Sequence, residues 1–146
     1  MNEYLITNKT LAILPYLRRF SVILEVDKII LINKNPIKII NYNCNYHGSS
    51  YLGNLSGSSY LTGLSYKLPI SIDNNYVFFP TTSPRNKSCS WINLFNVLTV
   101  KKRNKDDSNI LFINNKSINF NISCNKLNHQ LLQAYYLAAK IKQNRV

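Results

Sequence analysis

Glycine is the residue that lets a backbone turn at positive φ or approach a partner closely. This chain has four, Gly48, Gly53, Gly57 and Gly63, and all fall in one stretch. Residues 46–67, YHGSSYLGNLSGSSYLTGLSYK, also hold six serines and four tyrosines, with Lys67 the only ionised side chain. A Gly/Ser linker is one reading, but linkers do not normally interleave Tyr51, Leu52, Leu55, Tyr60, Leu61 and Leu64. The stretch reads better as a packed surface loop or short helix used for binding. Serine hydroxyls and free backbone N–H groups are usual partners of phosphate oxygens, and tyrosine adds a flat apolar face with a polar tip. Whether residues 51–66 are helical stays open. Leu52, Leu55, Ser59 and Leu64 partly suit one helical face, while each internal glycine costs about 1 kcal/mol against alanine.

The charge is lopsided. At +12, with 18 Lys and Arg against 6 Asp and Glu, the 146-residue chain is strongly basic. Residues 1–73 carry seven basic and four acidic groups, and residues 74–146 carry eleven and two. Such a balance points to a polyanion, either nucleic acid or an acidic membrane surface. The abundance of Asn, Ile, Lys and Tyr also fits A/T-rich codons, which discounts part of the lysine excess. The opening MNEYLITNKT lacks the basic and apolar regions of a signal peptide, and no apolar run approaches the roughly 18 residues of a spanning helix. The expectation is a soluble cytoplasmic protein associated with the nucleoid, with no membrane partner. Three widely spaced cysteines, Cys44, Cys89 and Cys124, suit reduced thiols rather than a disulfide framework.

Short Ile/Val/Leu-rich runs at residues 4–6, 11–14, 22–26 and 28–32 predict strands, with Arg18 and Arg19 in a connection. Pro36 opens another run, 37–42, where Ile37 and Ile39 alternate with Lys38. Residues 68–72 and 76–79 are strand-like around the turn signal Asp73-Asn74-Asn75. Residues 81–90, TTSPRNKSCS, form a polar loop carrying Arg85 and Lys87. Apolar residues 91–100 follow, then the charged connection KKRNKDDSN. Residues 110–113 and 117–123 predict a hairpin around Asn114-Asn115-Lys116, the second arm alternating Ile118, Phe120 and Ile122 with polar residues. The period then changes. Leu127, Leu131, Ala134, Tyr135, Ala138 and Ile141 mark one face of an amphipathic helix, with Asn125 as N-cap and Lys140, Lys142 and Arg145 at its negative end. The fold expected is α+β, one domain over residues 1–146, mostly antiparallel sheet closed by a C-terminal amphipathic helix.

Proton-moving groups are few. Six carboxylates are scattered, and neither His47 nor His129 sits in a recognisable nucleophile pattern. No GxGxxG follows a strand, and no Lys-Ser/Thr follows Gly53 as a phosphate-cradling loop requires. Cys44-x-x-His47 looks like half a zinc site, but Cys89 and Cys124 are too far apart to form the usual second close pair. The reading is a non-enzyme with no cofactor and no metal. Nucleic-acid binding fits better, since cations come with aromatic and hydroxyl residues in Ser65-Tyr66-Lys67 and in residues 81–85.

These residues also carry a resemblance. From Cys44 the chain reads C-x-x-x-GSSY-x-G, LTG-x-S-x-K-x-PI, FFPT-x-SP and C-x-WI, preceded by TLAILP and followed by a hairpin and a helix with Gln130. Four ordered motifs over residues 4–142 resemble the competence transcription factor (ComK) family. The resemblance implies a DNA-binding activator of DNA-uptake genes. Such a protein acts as a homo-oligomer on paired AT-rich boxes of double-stranded DNA, largely through the minor groove, with RNA polymerase as a further partner. It sets the motif positions at Gly48, Ser49, Ser50, Tyr51, Gly53, Ser65, Lys67, Pro69, Pro80, Ser83, Pro84, Cys89 and Trp91, of which Trp91, Pro69 and Pro80 suit core or turn positions.

The chain departs from that pattern at Asn54, Tyr66, Asn93-Leu94-Phe95, Gln133 and Ala138-Ala139, several of them places where the family carries cations. It also ends at Val146, where longer members continue into a tail, so it reads as a short member. Candidate DNA-binding residues are Ser49, Ser50, Tyr51, Asn54, Tyr66, Lys67, Arg85, Lys87, Lys101, Lys102 and Arg103. A second reading stays open: a ComK-like paralogue that modulates other proteins and binds DNA weakly or not at all.

Overall fold

The computed structural model describes residues 3–144, and among these the chain forms nine strands and three helices. β1 (Thr10–Tyr16), β2 (Phe20–Glu25), β3 (Ile29–Ile32), β4 (Ile70–Ile72), β5 (Tyr76–Pro80) and β6 (Trp91–Asn93) make one sheet in the order β3-β2-β1-β6-β5-β4. Every pairing in it is antiparallel. β7 (Val97–Lys102), β8 (Ser108–Phe112) and β9 (Ser117–Phe120) form a second antiparallel sheet. The helices are α1 (Pro36–Tyr46), α2 (Tyr51–Thr62) and α3 (Cys124–Asn144). The α+β class and the closing helix are as the sequence predicts.

The inner strands of the large sheet read as near-unbroken apolar runs because both faces are buried, whereas the edge strand β3 exposes Ile29 and Leu31. Ile13, Ile23, Ile70, Ile72, Phe78 and Trp91 point to one core, roofed by α1 and bordered by Tyr51 and Leu55 of α2. Their neighbours Leu24, Val77, Phe79 and Ile92 point the other way, into a core completed by the second sheet and α3. Three layers result, with the six-stranded sheet in the middle.

Three expectations change. The run 37–42 is not a strand but the body of α1. Asn35 caps it by accepting from Lys38 N at 3.3 Å, Pro36 occupies the first turn, and Pro36, Ile39, Ile40, Asn43 and Cys44 are buried at helical spacing. Two alternations of Ile and Lys are too short a window to exclude that period. Residues 4–6 join no strand, and a side chain pairs with their backbone in place of a ladder. Asn43 accepts from Ile6 N and donates to Tyr4 O and Ile39 O, each at 2.9 Å. The N-cap of α3 is Ser123, whose Oγ accepts from Lys126 N at 3.3 Å, and Asn125 lies within the helix.

The buried face of α3 also differs from the one expected. It runs through Leu127, Gln130, Gln133, Ala134, Leu137 and Ile141, while Tyr135 is exposed. The expected Arg145 lies outside the described residues.

Residues 51–62 are helical despite Gly53 and Gly57. Ser50 caps the start and Gly63, at φ 72°, ends the helix in the left-handed conformation that a side chain would strain.

Candidate nucleic-acid interface

Four cations come together around two adjoining grooves. The first groove, of about 570 Å³, runs between α2 and the segments 65–68 and 83–85, and Tyr51, Leu52, Tyr66, Lys67 and Arg85 line it. The second, of about 270 Å³, runs between the β1–β2 turn, the start of α1 and residues 84–89, lined by Arg18, Arg85 and Lys87. Ile37, Pro84 and Arg85 belong to both, so Arg85 stands on the ridge between them. No carboxylate lines either groove. Among the described residues the ion pairs are Lys9–Asp27, Lys34–Glu3 and His47–Asp73, which leaves these four cations without an acidic partner.

The loop that carries Arg85 and Lys87 is shaped by its own polar groups. Thr81 N donates to Ser90 O at 2.9 Å, and Ser90 N returns to Thr81 Oγ1 at 3.0 Å. Asn86 N donates to Ser83 O, while the Asn86 carboxamide accepts from Ser88 N and Oγ. Cys89 is buried, and that burial pushes its thiol up. The network turns the polar atoms inward at the base and leaves residues 85–88 exposed.

Lys67 is positioned differently. Its φ of 47° lies in the left-handed region, where a non-glycine residue is held only by its surroundings. The buried Gln130 of α3 supplies the hold, its Nε2 donating to Lys67 O at 2.8 Å and to Pro80 O at 3.0 Å. Gln133 Nε2 in turn donates to Gln130 Oε1 at 3.2 Å. The Lys67 ammonium sits 5.3 Å from the ring centre of Tyr66, which is 68% exposed. A cation over an exposed aromatic face is a pairing that suits both phosphates and bases.

The remaining expected residues have other placements. Ser50 Oγ caps α2 by accepting from Gly53 N at 2.9 Å. Tyr51 packs edge-on against Trp91, ring centres 5.9 Å apart, and burial pushes its hydroxyl up to about 12. Ser49 and Asn54 face a separate pocket with His47 and Asp73. There Ser49 Oγ bonds to Asn54 Oδ1, and Asn54 Nδ2 donates to Ser71 O at 2.9 Å and to Cys44 Sγ at 3.2 Å. His47 Nδ1 lies 3.5 Å from Asp73 Oδ2, but the serine hydroxyl nearby is directed at the carboxamide rather than the imidazole. Lys101, Lys102 and Arg103 are exposed at the far end of the β7–β8 hairpin with Asp106 and Asp107, and line neither groove. Among the described residues no three His, Cys, Asp or Glu side chains cluster as metal ligands.

Arg18 is the residue the sequence reasoning left out. It sits 67 positions before Arg85, and only the turn between β1 and β2 brings it to the same groove. The adjacent pair Arg18-Arg19 between two short apolar runs was the available signal.

No solved structure matches this chain. It is 32% identical over 147 residues to the competence transcription factor of Bacillus subtilis (strain 168), an alignment that covers 97% of this chain and 77% of that protein. The family model described as ComK protein matches residues 1–145. With that span and that relative, the chain belongs to the ComK family.

Proposed function

We propose that this ComK-family protein is a transcription regulator of competence that binds duplex DNA through the face carrying the two cationic grooves. The observation that carries the reading is the absence of any carboxylate around Arg18, Lys67, Arg85 and Lys87. Unpaired cations at neighbouring positions are what a phosphate backbone neutralises, with release of its condensed counterions. Arg85, alone on a ridge, is shaped for a narrow minor groove, where A·T tracts deepen the negative potential and draw in arginine. The surrounding Tyr66 and Lys67, and the cations of the second groove, then meet phosphates on either side. Residues 1–146 act here as one DNA-binding domain with neither catalytic nor metal chemistry. Among the described residues no helix is long and apolar enough to cross a membrane.

Groove-shape recognition sums several weak contacts, so two boxes are read by two copies. A third groove, of about 460 Å³ and lined by Val77, Phe95, Tyr135, Ala138 and Lys142, shares no residue with the cationic pair. It brings together the 91–100 segment and the α3 surface, and a second copy seated there leaves the cationic face free. RNA polymerase is the further partner of such an activator.

The test is equilibrium binding to an A·T-rich duplex, to the same duplex with inosine·cytosine pairs, and to a G·C version, with salt varied. Inosine·cytosine keeps an A·T-like minor groove and changes the major one. Retained affinity on inosine·cytosine, with loss on G·C, is expected. Equal loss on both overturns minor-groove reading, and no binding even at low salt overturns the DNA-binding assignment.

A further inference from the structure

We propose that the tip of the β1–β2 hairpin is a wedge that enters the duplex between two base pairs, with Leu17 as the inserted side chain. The inference rests on the DNA-binding reading above and extends it to how the bound duplex is deformed.

Three independent features of the tip point to this role. Leu17 is 74% exposed, yet its φ of 52° puts it in the left-handed region that leucine rarely adopts. An apolar side chain held mostly in water on a left-handed backbone contributes little to the packing of the monomer. Outliers of this kind gather at positions that meet a ligand.

The neighbours of Leu17 suit a polyanion. Arg18 and Arg19 follow it, both exposed and neither in an ion pair among the described residues. Arg18 and Leu17 line the groove that also holds Arg85 and Lys87, so the wedge projects from the cationic face itself. Guanidinium groups beside an inserted side chain are placed to take the phosphates that flank it.

The tip is also backed by stiff structure. Tyr16 and Phe20 pair directly across the hairpin, which leaves a turn of three residues. Below them Ile13 pairs with Ile23, both wholly buried in the core under α1. A side chain that must part stacked bases needs such a support, and a flexible loop would fold back instead. Apolar wedges entering from the minor groove unstack a base step and kink the duplex by about 20–90° toward the major groove. The bend would carry the flanking phosphates toward Arg85 and Lys87, which line the same groove as Leu17.

The experiment uses the full chain and an A·T-rich duplex in which 2-aminopurine replaces adenine at successive positions. Unstacking brightens this base, and donor and acceptor dyes at the duplex ends report bending. Leu17→Asn is the test variant because asparagine tolerates the left-handed region, and its circular dichroism and melting curve should match the wild type. Wild type should brighten one position and shorten the end-to-end distance. Leu17→Asn should abolish both while affinity falls on the order of tenfold or less, since the phosphate contacts remain. Leu17→Met, still apolar, should retain the brightening. Salt-dependent binding by wild type with no position brightened overturns the wedge and leaves DNA binding standing, as does equal brightening by Leu17→Asn. Failure of wild type to bind the duplex at low salt overturns the wedge and the DNA-binding reading together.

Discussion

Gln130→Leu should loosen the proposed DNA-binding face from the inside. Leucine fills nearly the same volume on α3 but has no donor, so Lys67 O and Pro80 O both lose their hydrogen bond. A buried carbonyl left without a partner costs about 1–3 kcal/mol. The Pro80 bond is buried and the Lys67 bond only partly so, which places the second at the low end of that range. Together with the lost Gln133–Gln130 bond, the change should cost about 2–4 kcal/mol. For a chain of this size that lowers Tm by roughly 5–15 °C.

The functional effect follows from the backbone. A non-glycine residue in the left-handed region is uphill by about 1–2 kcal/mol, so Lys67 released from Gln130 should relax and carry its ammonium out of the groove. DNA binding by Gln130→Leu should therefore resemble that of Lys67→Ala, with the salt slope reduced by about 0.9. The double variant should bind no worse than Lys67→Ala alone, because the two substitutions remove one contact. Thermal melts and salt titrations of the three variants check this. An unchanged Tm in Gln130→Leu, or strictly additive losses on DNA, would refute the reasoning.

Four further outcomes are expected. Arg85→Ala and Lys87→Ala should each flatten the dependence of log K on log salt by about 0.9, whereas Lys101→Ala should change it little, as measured by fluorescence anisotropy. Cys124, only partly buried, should react with a thiol reagent in the native protein, while the buried Cys44 and Cys89 should react only on unfolding. Burial pushes the Cys44 thiol up to about 11 and raises those of Tyr4, Tyr51 and Cys89 as well. The stability stored in the neutral Cys44 thiol is complete below the unfolded value of about 8.5 and is lost as pH rises through 11, and the tyrosines add to the loss above about 10, so Tm should fall steadily across that window. Asn43→Leu should cost about 3 kcal/mol or more, since Ile6 N and Tyr4 O both lose the side chain that pairs with them, and limited proteolysis should then cut first near residue 7.

Much of the architecture was legible because strand runs such as ILP and VFFP are short, apolar and closed by proline or asparagine. The amphipathic period of α3 placed its helix but not its buried face. Gln130 and Gln133 are polar residues turned inward to serve backbone carbonyls and each other, and no hydropathy pattern assigns them to a core. α1 was missed because its cap, Asn35, and its first residue, Pro36, are also loop signals, and only the buried set Ile39, Ile40, Asn43 and Cys44 separates the two. Of the candidate site residues, Tyr66, Lys67, Arg85 and Lys87 stand out in the sequence as cations beside aromatic or hydroxyl residues, but nothing there separates them from Lys101, Lys102 and Arg103. Arg18 could not be grouped with them, since its proximity to Arg85 depends on a sheet order in which β6 lies between β1 and β5. Serines in the glycine stretch looked like phosphate ligands, and Ser50 turned out to serve the helix N-terminus, which uses the same chemistry.

That sheet order has a consequence for how the protein is made. β1, β2 and β3 leave the ribosome first and can pair as a meander, but the free edge of β1 waits for β6, which begins at Trp91. At bacterial rates of about 5–20 residues per second, the gap from Tyr16 to Trp91 corresponds to roughly 4–15 s of synthesis. During that interval the nascent chain presents an unpaired strand edge and an uncovered apolar face, the combination most prone to misassociation. The six-stranded sheet therefore closes only once β6 is made, and a chain that stops short of Trp91 lacks the strand that joins its two halves.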